Sequence, residues 1–266
     1  MNNNFLKMAL FQTDIVWENS RKNIEKLDTV VMAFCKKKFK PDIILFPEFF
    51  STGFTMNSAA AEEMNGISSS WLREISKKTG SAVVSSIPIK IEEGKRVNRC
   101  FFITENGDEW HYDKRHLFSI AGEDEAYTRG KEKCIVDYKG WKIALSVCYD
   151  LRFPVWLRNV KNGYDLMLNV ANWPTSRIEA ADILVKARAI ENVSFIAFCN
   201  RTGSDNECEY NGGSLIVDSR GGNIGKKMRI NGVDVIYSEL DKKPLLSFRE
   251  RFPSWADADE YELKNI

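Results

Sequence analysis

The chain has 266 residues, of which 44% are hydrophobic and 28% charged, with 38 basic and 37 acidic side chains. This composition is that of a globular protein, and a formal charge of +1 provides no overall field to attract nucleic acid or an anionic membrane. No eighteen apolar residues run together, and MNNNFLKMALFQTD has no charged leader before an apolar stretch, so we expect neither a membrane span nor secretion.

Strand-like runs of β-branched and aromatic residues alternate along the chain with helical patterns. The runs are residues 5–12, 42–46, 81–89, 99–104, 142–148, 165–172, 193–200, 214–218 and 234–240. Apolar residues at helical spacing predict helices within 19–38 and 176–193. The first helix would begin at Asn19 or Ser20 and bury Ile24, Leu27, Val31 and Phe34. The second would bury Ile178, Ala181, Leu184, Ala187 and Ile190.

The dipeptide Asn106-Gly107 predicts a tight β-hairpin, in which a type I′ turn needs positive φ at both central residues. The sheet should therefore be of mixed direction. Two segments, KPDIILFPEFF and GYDLMLNVANW, share a pattern. In each, an aspartate precedes a buried strand, and a polar residue next to an aromatic residue follows it. Either the chain is built of two similar α/β halves, or the similarity is due to chance. Without a Pro/Gly/Ser-rich linker, we expect one α/β domain with helices around two layers of sheet.

Six cysteines show no CxxC spacing, and only two histidines are present, so no structural metal site is expected. They occur at positions 35, 100, 134, 148, 199 and 208. Free thiols are typical of a reducing cytosol. We therefore expect a cytoplasmic protein in which most cysteines are small buried hydrophobic residues.

Three strand ends carry polar side chains, and ligands of α/β folds bind beyond the carboxyl ends of strands. These are Glu48 in FPEFF, the segment 112–118 after the hairpin, and Cys148 at the end of KIALSVC. Each could be structural, since a buried carboxylate needs a hydrogen-bonded partner or a raised pKa. Together a thiol, a carboxylate and an ammonium suit acyl transfer. A Cys-His pair with His111 or His116 as the base is the alternative.

The segments FPEFF, YDKRHLF and SVCYDLRFP resemble the three catalytic motifs of the nitrilase, or carbon-nitrogen hydrolase, superfamily, in the order found in that family. The resemblance covers nearly the whole chain, including ANWP, ARAIENV and NRTGSD, and implies one carbon-nitrogen hydrolase domain over residues 1–266. The closing stretch FRERFPSWADADEYEL is similar to that of bacterial omega-amidases in particular.

The resemblance implies a single-domain four-layer α-β-β-α sandwich and assigns roles to individual residues. Cys148 is the expected nucleophile, Glu48 the general base and Lys114 the cation that stabilises the oxyanion. A second carboxylate of the family falls on Glu123, although Glu125 is close enough to leave the register open. No metal or organic cofactor is expected.

The implied reaction is amide hydrolysis through a thioester on Cys148. Glu48 accepts the thiol proton, the thiolate adds to the amide carbon, and Lys114 and the backbone N–H of Tyr149 hold the oxyanion. Ammonia leaves, and a water activated by Glu48 hydrolyses the thioester. A free thiol has a pKa of about 8.5, so we expect a site that favours the thiolate, with Cys148 and Glu48 titrating as a coupled pair.

Asp150 and Arg152 follow the nucleophile and allow two interpretations. Asp150 can cap a solvated helix start. We expect instead that Arg152 pairs with a nearby carboxylate and supports the nucleophile turn, because a charge pair beside a strand end is poorly solvated.

Omega-amidases hydrolyse the terminal amide of 2-oxoglutaramate or 2-oxosuccinamate to the 2-oxo-dicarboxylate and ammonia. The substrate carboxylate needs a cationic or N–H-rich partner, and the candidates are Arg177 and Arg201. Trp173 and Phe118 are candidates for the pocket wall. The alternative interpretation is that the two arginines lie on the surface and that the two aromatic residues belong to the core.

Other branches with the same triad remain alternatives: a nitrilase, an N-carbamoyl amine hydrolase or another amidase. A non-catalytic binding protein on this fold belongs to another class, but a scaffold has no reason to keep all three catalytic residues. No basic stripe supports a nucleic-acid partner. The expected partners are a small-molecule amide and water, and by analogy with the family we expect a homodimer with residues 248–266 as a candidate for its interface.

Overall fold

The computed structural model describes residues 4–92 and 94–264, which form fourteen strands and six α-helices. In chain order they are β1 (Phe5–Gln12), α1 (Ser20–Cys35), β2 (Ile43–Leu45), α2 (Ile67–Thr79), β3 (Ala82–Glu92), β4 (Lys95–Ile103), β5 (Glu109–Asp113), α3 (Glu123–Ala126), β6 (Ile135–Tyr138), β7 (Trp141–Val147), α4 (Pro154–Leu157), β8 (Leu166–Val170), α5 (Ile178–Asn192), β9 (Phe195–Cys199), β10 (Thr202–Ser204), β11 (Glu209–Asn211), β12 (Leu215–Val217), β13 (Lys226–Ile230), β14 (Val233–Asp241) and α6 (Lys242–Arg251).

Two large sheets carry the fold, and both have parallel strands at their centre. The seven-stranded sheet has the order β13-β14-β1-β2-β3-β4-β5, with β1, β2 and β3 parallel. The five-stranded sheet has the order β12-β9-β8-β7-β6, with β7, β8 and β9 parallel. The outer pairs of both sheets are antiparallel, so the expected mixed direction is confirmed.

Alternate side chains of β1 enter two different cores, as expected for a strand covered on both faces. Leu10 lies in the core that also contains Leu145 of the five-stranded sheet. Phe11 points the other way and packs edge-on against Phe34 of α1, with ring centroids 5.5 Å apart. Because α5 joins the core of the five-stranded sheet through buried Ala181, the layers run α-β-β-α. The predicted four-layer sandwich is confirmed.

The helix predictions succeed for α1 and fail in part for α5. The Asn19 side chain caps α1 by accepting the Lys22 N–H at 3.1 Å, as predicted. In α5, however, Ile190 is 53% exposed and Val185 is buried. Residues three apart advance by 300° on a helix of 3.6 residues per turn, so a face read in steps of three drifts around the helix. Arg188 is buried instead, because it donates to the Leu151 carbonyl at 3.0 Å.

The predicted hairpin between β4 and β5 is present, but its turn is not of type I′. Only Gly107 has a positive φ, 93°. Its N–H donates to the Thr104 carbonyl at 3.0 Å, and the Thr104 N–H donates to the Asp108 carbonyl at 2.9 Å. This pattern corresponds to a turn of three loop residues that ends in a left-handed glycine.

The pattern shared by KPDIILFPEFF and GYDLMLNVANW corresponds to equivalent positions in the two sheets. Asp42 precedes β2 and accepts the Lys7 N–H at 2.9 Å, while Asp165 precedes β8 and accepts the Lys142 N–H at 3.0 Å. In each sheet the aspartate joins a central parallel strand to its neighbour. The segments that follow β2 and β8 meet, since the Asn172 amide donates to the Glu48 carbonyl at 2.6 Å.

The described part of the carboxyl-terminal tail lies against its own chain. The Tyr261 hydroxyl donates to the Val155 carbonyl at 3.0 Å, and Leu263 packs against the core cluster of the five-stranded sheet. The role of this tail at a subunit interface, like the homodimer, stays a prediction. Among the described residues, no helix has both the length and the apolar character needed to cross a membrane.

Candidate active site

Cys148 lies where β7 ends and a 3₁₀-helix, Cys148–Arg152, begins. Its φ is +45°, in the left-handed region that non-glycine residues rarely adopt and that is often found at functional sites. The side chain is 9% exposed, and the Trp173 indole N–H donates to the Cys148 carbonyl at 3.4 Å. Cys148 therefore lies at the end of a strand, as predicted, in a turn that leads directly into a helix.

Glu48 follows β2 and is completely buried. The Asn98 side-chain amide donates to Glu48 Oε1 at 2.8 Å, and the Asn172 amide donates to the Glu48 carbonyl at 2.6 Å. The charge of the Glu48 carboxylate also raises the pKa of the Cys148 thiol. The carboxylate thus has the partners that a buried charge requires.

Lys114 follows β5 and is also completely buried. Its Nζ lies 2.9 Å from Glu48 Oε1 and 2.7 Å from Glu123 Oε2. The backbone N–H of Lys114 donates to the Asn98 carbonyl at 2.9 Å, which fixes the start of its loop to β4. One ammonium therefore bridges two carboxylates.

The geometry selects Glu123 rather than Glu125 as the second carboxylate beside the lysine. Glu123 is the first residue of α3 and is buried, whereas Glu125 is exposed. The Phe118 N–H donates to Glu123 Oε2 at 2.6 Å, and Asn98 donates to Glu123 Oε1 at 3.0 Å. Glu123 therefore connects the lysine loop to the rest of the cluster.

The charges of the cluster shift the pKa values of its members. Burial alone would lower the pKa of Lys114, but the Glu123 and Glu48 carboxylates outweigh it and raise that pKa. Burial raises the pKa of Glu123, and Lys114 opposes this rise. The pKa of the Cys148 thiol is well above its usual range because of burial and the Glu48 charge, against the lowering effects of Lys114 and an Asn172 backbone hydrogen bond.

The expectation of a site that favours the thiolate is therefore wrong for the free protein. Burial and the neighbouring carboxylate raise the pKa of the Cys148 thiol by more than the Lys114 ammonium lowers it. Glu48 is the carboxylate whose charge acts on this thiol.

Neither histidine hydrogen-bonds to Cys148 in the described part of the chain. His116 Nδ1 lies 2.8 Å from Asp150 Oδ1, and its ring stacks on Phe153 with centroids 3.7 Å apart. His111 lies 3.4 Å from Glu109 on β5. The geometry therefore does not support a Cys-His pair.

Asp150 is not a solvated helix cap but a completely buried acceptor. Its Oδ2 accepts the Val147 N–H at 3.0 Å and the Tyr112 hydroxyl at 2.7 Å. Its Oδ1 accepts the His116 N–H at 3.0 Å. Asp150 thus joins the nucleophile turn to the loop that carries Lys114. The sequence signal was an aspartate two residues beyond the nucleophile at the end of a buried strand.

Sequence reasoning also missed Asn98 and Asn172, whose amides contact Glu48. The only available signal for Asn98 was an asparagine inside a strand, which is unfavourable there without a hydrogen-bonding partner. Asn172 lies in ANWP, which was noted only as part of the family resemblance.

A cavity of about 360 Å³ opens in front of Cys148. Aromatic side chains form much of its lining: Trp17, Phe54, Phe118, Tyr149, Trp173 and Tyr210. Its charged side chains are Arg152, Arg177, Asp205 and Glu207. Its size and mostly apolar lining suit a small ligand that has a few polar groups.

Of the four candidate substrate-binding residues, Phe118, Trp173 and Arg177 line this cavity, and Arg201 does not. Arg201 is completely buried behind it, with its guanidinium over the Tyr210 ring at 4.3 Å and 3.5 Å from Asp205. It also donates to the Ile15 carbonyl at 3.2 Å. The prediction for Arg201 is wrong, because acceptors from distant segments draw the side chain into the interior.

The prediction that Arg152 pairs with a nearby carboxylate is also wrong. The side chain is exposed and its guanidinium lies over the Trp173 ring, 4.8 Å from the centroid. Within residues 4–92 and 94–264 no carboxylate pairs with it. Asp150, the nearest acid in the sequence, is already saturated by other donors.

Tyr149 lies beside the cavity, and its ring packs edge-on against Phe118 at 5.0 Å.

Comparison with known proteins agrees with this geometry. The family model described as carbon-nitrogen hydrolase matches residues 7–248. "Omega-amidase YafV" of Yersinia enterocolitica is 40% identical over 261 residues, covering 97% of this chain and 98% of that protein. "2-oxoglutaramate amidase" of Bacillus subtilis is 30% identical over 256 residues, covering 94% of this chain and 96% of that protein.

Among solved structures, XC1258 from Xanthomonas campestris has a TM-score of 0.90 and 34% identity, and the match covers 98% of this chain and 100% of that one. It is described as a CN-hydrolase superfamily protein with an arsenic adduct in the active site. The family match spans most of the chain, and these relatives cover it almost completely. The chain is therefore an amide-hydrolysing enzyme and belongs to the carbon-nitrogen hydrolase family.

Proposed function

We propose that the protein is an omega-amidase that converts 2-oxoglutaramate to 2-oxoglutarate and ammonia. The observation that carries this proposal is the buried cluster of Glu48, Lys114 and Cys148, whose cysteine lines a small aromatic cavity that also contains arginines. The names of two similar proteins, an omega-amidase and a 2-oxoglutaramate amidase, support the choice of substrate.

In the proposed first half-reaction, the Glu48 carboxylate takes the proton of the Cys148 thiol as sulfur adds to the amide carbon. The raised pKa of the thiol supports this coupling, because a neutral thiol is a poor nucleophile until its proton moves. The protonated Glu48 then gives the proton to the departing nitrogen. The carbon–nitrogen bond breaks, ammonia leaves, and a thioester remains on Cys148.

Two groups are proposed to hold the oxyanion of the tetrahedral intermediate. The backbone N–H of Tyr149 directly follows the nucleophile, and the Lys114 ammonium is kept charged by its two carboxylates. A preorganised donor of this kind contributes about 3 kcal/mol to an acyl-transfer transition state. Glu123 accepts from the Lys114 ammonium, and the Asn98 amide donates to both Glu123 and Glu48, so these two residues would keep the ammonium in position.

In the second half-reaction, a water replaces ammonia beside Glu48. The carboxylate accepts a proton from the water as oxygen adds to the thioester carbon. Collapse of this intermediate breaks the carbon–sulfur bond, and the proton returns to Cys148. The product is the free dicarboxylate, and no other reactant is consumed.

Ammonia release from four compounds tests the proposal: 2-oxoglutaramate, glutamine, a short nitrile and an N-carbamoyl β-amino acid. We expect the highest kcat/KM with 2-oxoglutaramate and complete loss of turnover in Cys148→Ala. Iodoacetamide should label Cys148 stoichiometrically and abolish activity in parallel. Cleavage of another compound without turnover of 2-oxoglutaramate would place the enzyme in a different branch, and failure to cleave any of them would favour a binding protein.

A further inference from the structure

His116 is a partly buried histidine whose ring takes no part in the proposed proton transfers. It lies outside the lining of the catalytic cavity, and its Nδ1 is 2.8 Å from Asp150 Oδ1. The ring stacks flat on Phe153 with centroids 3.7 Å apart, and Trp156 packs edge-on against it at 6.1 Å. Two aromatic neighbours therefore hold the plane of the imidazole, with Nδ1 directed at the carboxylate.

The other hydrogen bonds of Asp150 indicate which atom carries the hydrogen between the two side chains. Its Oδ2 accepts the Val147 N–H at 3.0 Å and the Tyr112 hydroxyl at 2.7 Å, and its Oδ1 accepts the backbone N–H of His116 at 3.0 Å. An ionised carboxylate only accepts hydrogen bonds, whereas a neutral imidazole donates from one nitrogen and accepts at the other. Beside an ionised Asp150 the His116 ring must therefore donate from Nδ1, which leaves Nε2 without a hydrogen when the ring is neutral.

The carboxylate that His116 contacts controls the backbone around the thiol. The hydrogen bond from the Val147 N–H to the Asp150 side chain closes a loop that contains Cys148 and Tyr149. Cys148 has a φ of +45° in this loop, an unfavourable conformation that persists only where the surrounding contacts enforce it. A carboxylate that lost one of its donors would hold the sulfur and the Tyr149 N–H less firmly.

We propose that His116 is a positioning residue of the hydrolase: its Nδ1–H orients the Asp150 carboxylate, which keeps the Cys148 turn in its reactive geometry. His116 is two residues beyond Lys114, so the same contact also joins the lysine loop to this turn. The role differs from that of a base in a Cys-His pair, because the ring acts only through Asp150. The inference rests on the proposed function of Cys148 as the nucleophile.

Two substitutions separate the hydrogen bond from the stacking. His116→Asn keeps a side-chain N–H near the position of Nδ1 but loses the ring, and His116→Phe keeps a ring over Phe153 but has no donor. A hydrogen bond to a charged group corresponds to about 10- to 100-fold in an equilibrium constant, so His116→Phe should lower kcat for 2-oxoglutaramate by about that factor with KM unchanged. His116→Asn should recover most of this loss. A ring that served only for packing would give the reverse order.

His111→Phe is the matched control, because His111 is the only other histidine of the chain. It is exposed on β5, and its ring packs edge-on against Phe101 with centroids 4.8 Å apart. This substitution should change neither kcat nor KM. Full activity of His116→Phe, an effect on KM alone, or a lower kcat for His116→Asn than for His116→Phe would overturn the inference.

Heteronuclear NMR of protein labelled at its histidines tests the same hydrogen bond without a substrate. In mildly alkaline solution imidazoles are neutral, and the His116 ring of the wild-type protein should carry its hydrogen on Nδ1, with His111→Phe providing the assignment. A hydrogen on Nε2 would overturn the inference even if a His116 variant did not fold. If the wild type cleaves another amide but not 2-oxoglutaramate, the proposed substrate is wrong, and the order of the His116 variants with that amide decides the inference.

Discussion

Replacing Asp150 by asparagine should destabilise the protein far more than a change at a helix cap. Asparagine and aspartate cap helices about equally well, so an exposed cap would lose almost nothing. In the structure, however, each carboxylate oxygen of Asp150 accepts two hydrogen bonds inside the protein. The two interpretations of this residue therefore predict different free energies of unfolding.

The size of the effect follows from the donors around Asp150. An amide nitrogen must replace one of the two oxygens, and it cannot accept from the Val147 N–H or the His116 N–H that points to that position. A hydrogen bond to a charged group contributes about 1.5–3 kcal/mol, and two contacts are affected at either oxygen. We expect a loss of about 3 kcal/mol or more.

Equilibrium unfolding in urea, extrapolated linearly to water, measures this loss. Asp124→Asn is the control, since Asp124 is an exposed carboxylate at the start of the nearby helix α3. Because Asp150 joins the turn of Cys148 to the loop of Lys114, kcat should fall together with stability. An Asp150→Asn protein within about 0.5 kcal/mol of wild type would refute the buried-acceptor account, because surface changes lie in that range.

Two further predictions concern the charges of the cluster. Glu48 raises the pKa of the Cys148 thiol, so Glu48→Gln should lower that pKa and shift the pH profile of iodoacetamide alkylation to lower pH; an unchanged midpoint would contradict the assigned contact. Glu123 raises the pKa of Lys114, so Glu123→Gln should lower kcat by at least about tenfold, whereas the exposed Glu125→Gln should behave as wild type. Equal kinetics for these two variants would mean that the second carboxylate has no part in positioning the lysine.

The positions of the three proposed catalytic residues could be predicted because each follows a strand in the sequence. Apolar runs end at Glu48 and Cys148, and the hairpin leads to Lys114, so their convergence depended only on the sheets packing together. The cap of α1 could also be predicted from the local sequence, because an asparagine just before a helical pattern accepts a hydrogen bond from an N–H of the first turn. Strand order indicated the three regions, and the family resemblance then selected Glu48, Lys114 and Cys148 within them.

The partners of several charged residues depended on segments far apart in the chain and could not be predicted. Arg201 was assigned to the cavity, but the Ile15 carbonyl and the Asp14 carboxylate, far away in the chain, hold it inside. Arg152 was expected to find a carboxylate, but it stacks on Trp173. The direction of the Cys148 pKa shift could not be predicted for the same reason. Burial raises this pKa, and burial depends on how the whole protein packs rather than on the residues next to Cys148 in the sequence.

Peptide mass spectrometry of enzyme trapped during turnover tests the central claim, a thioester on Cys148, most directly. The enzyme is mixed with 2-oxoglutaramate, quenched in acid within one turnover and digested. The account predicts one added group on the peptide that contains Cys148, with the mass of the substrate less one ammonia and one site per chain. The adduct should disappear with hydroxylamine and be absent in Cys148→Ala. Full turnover by Cys148→Ala, or an adduct on another residue, would contradict the account.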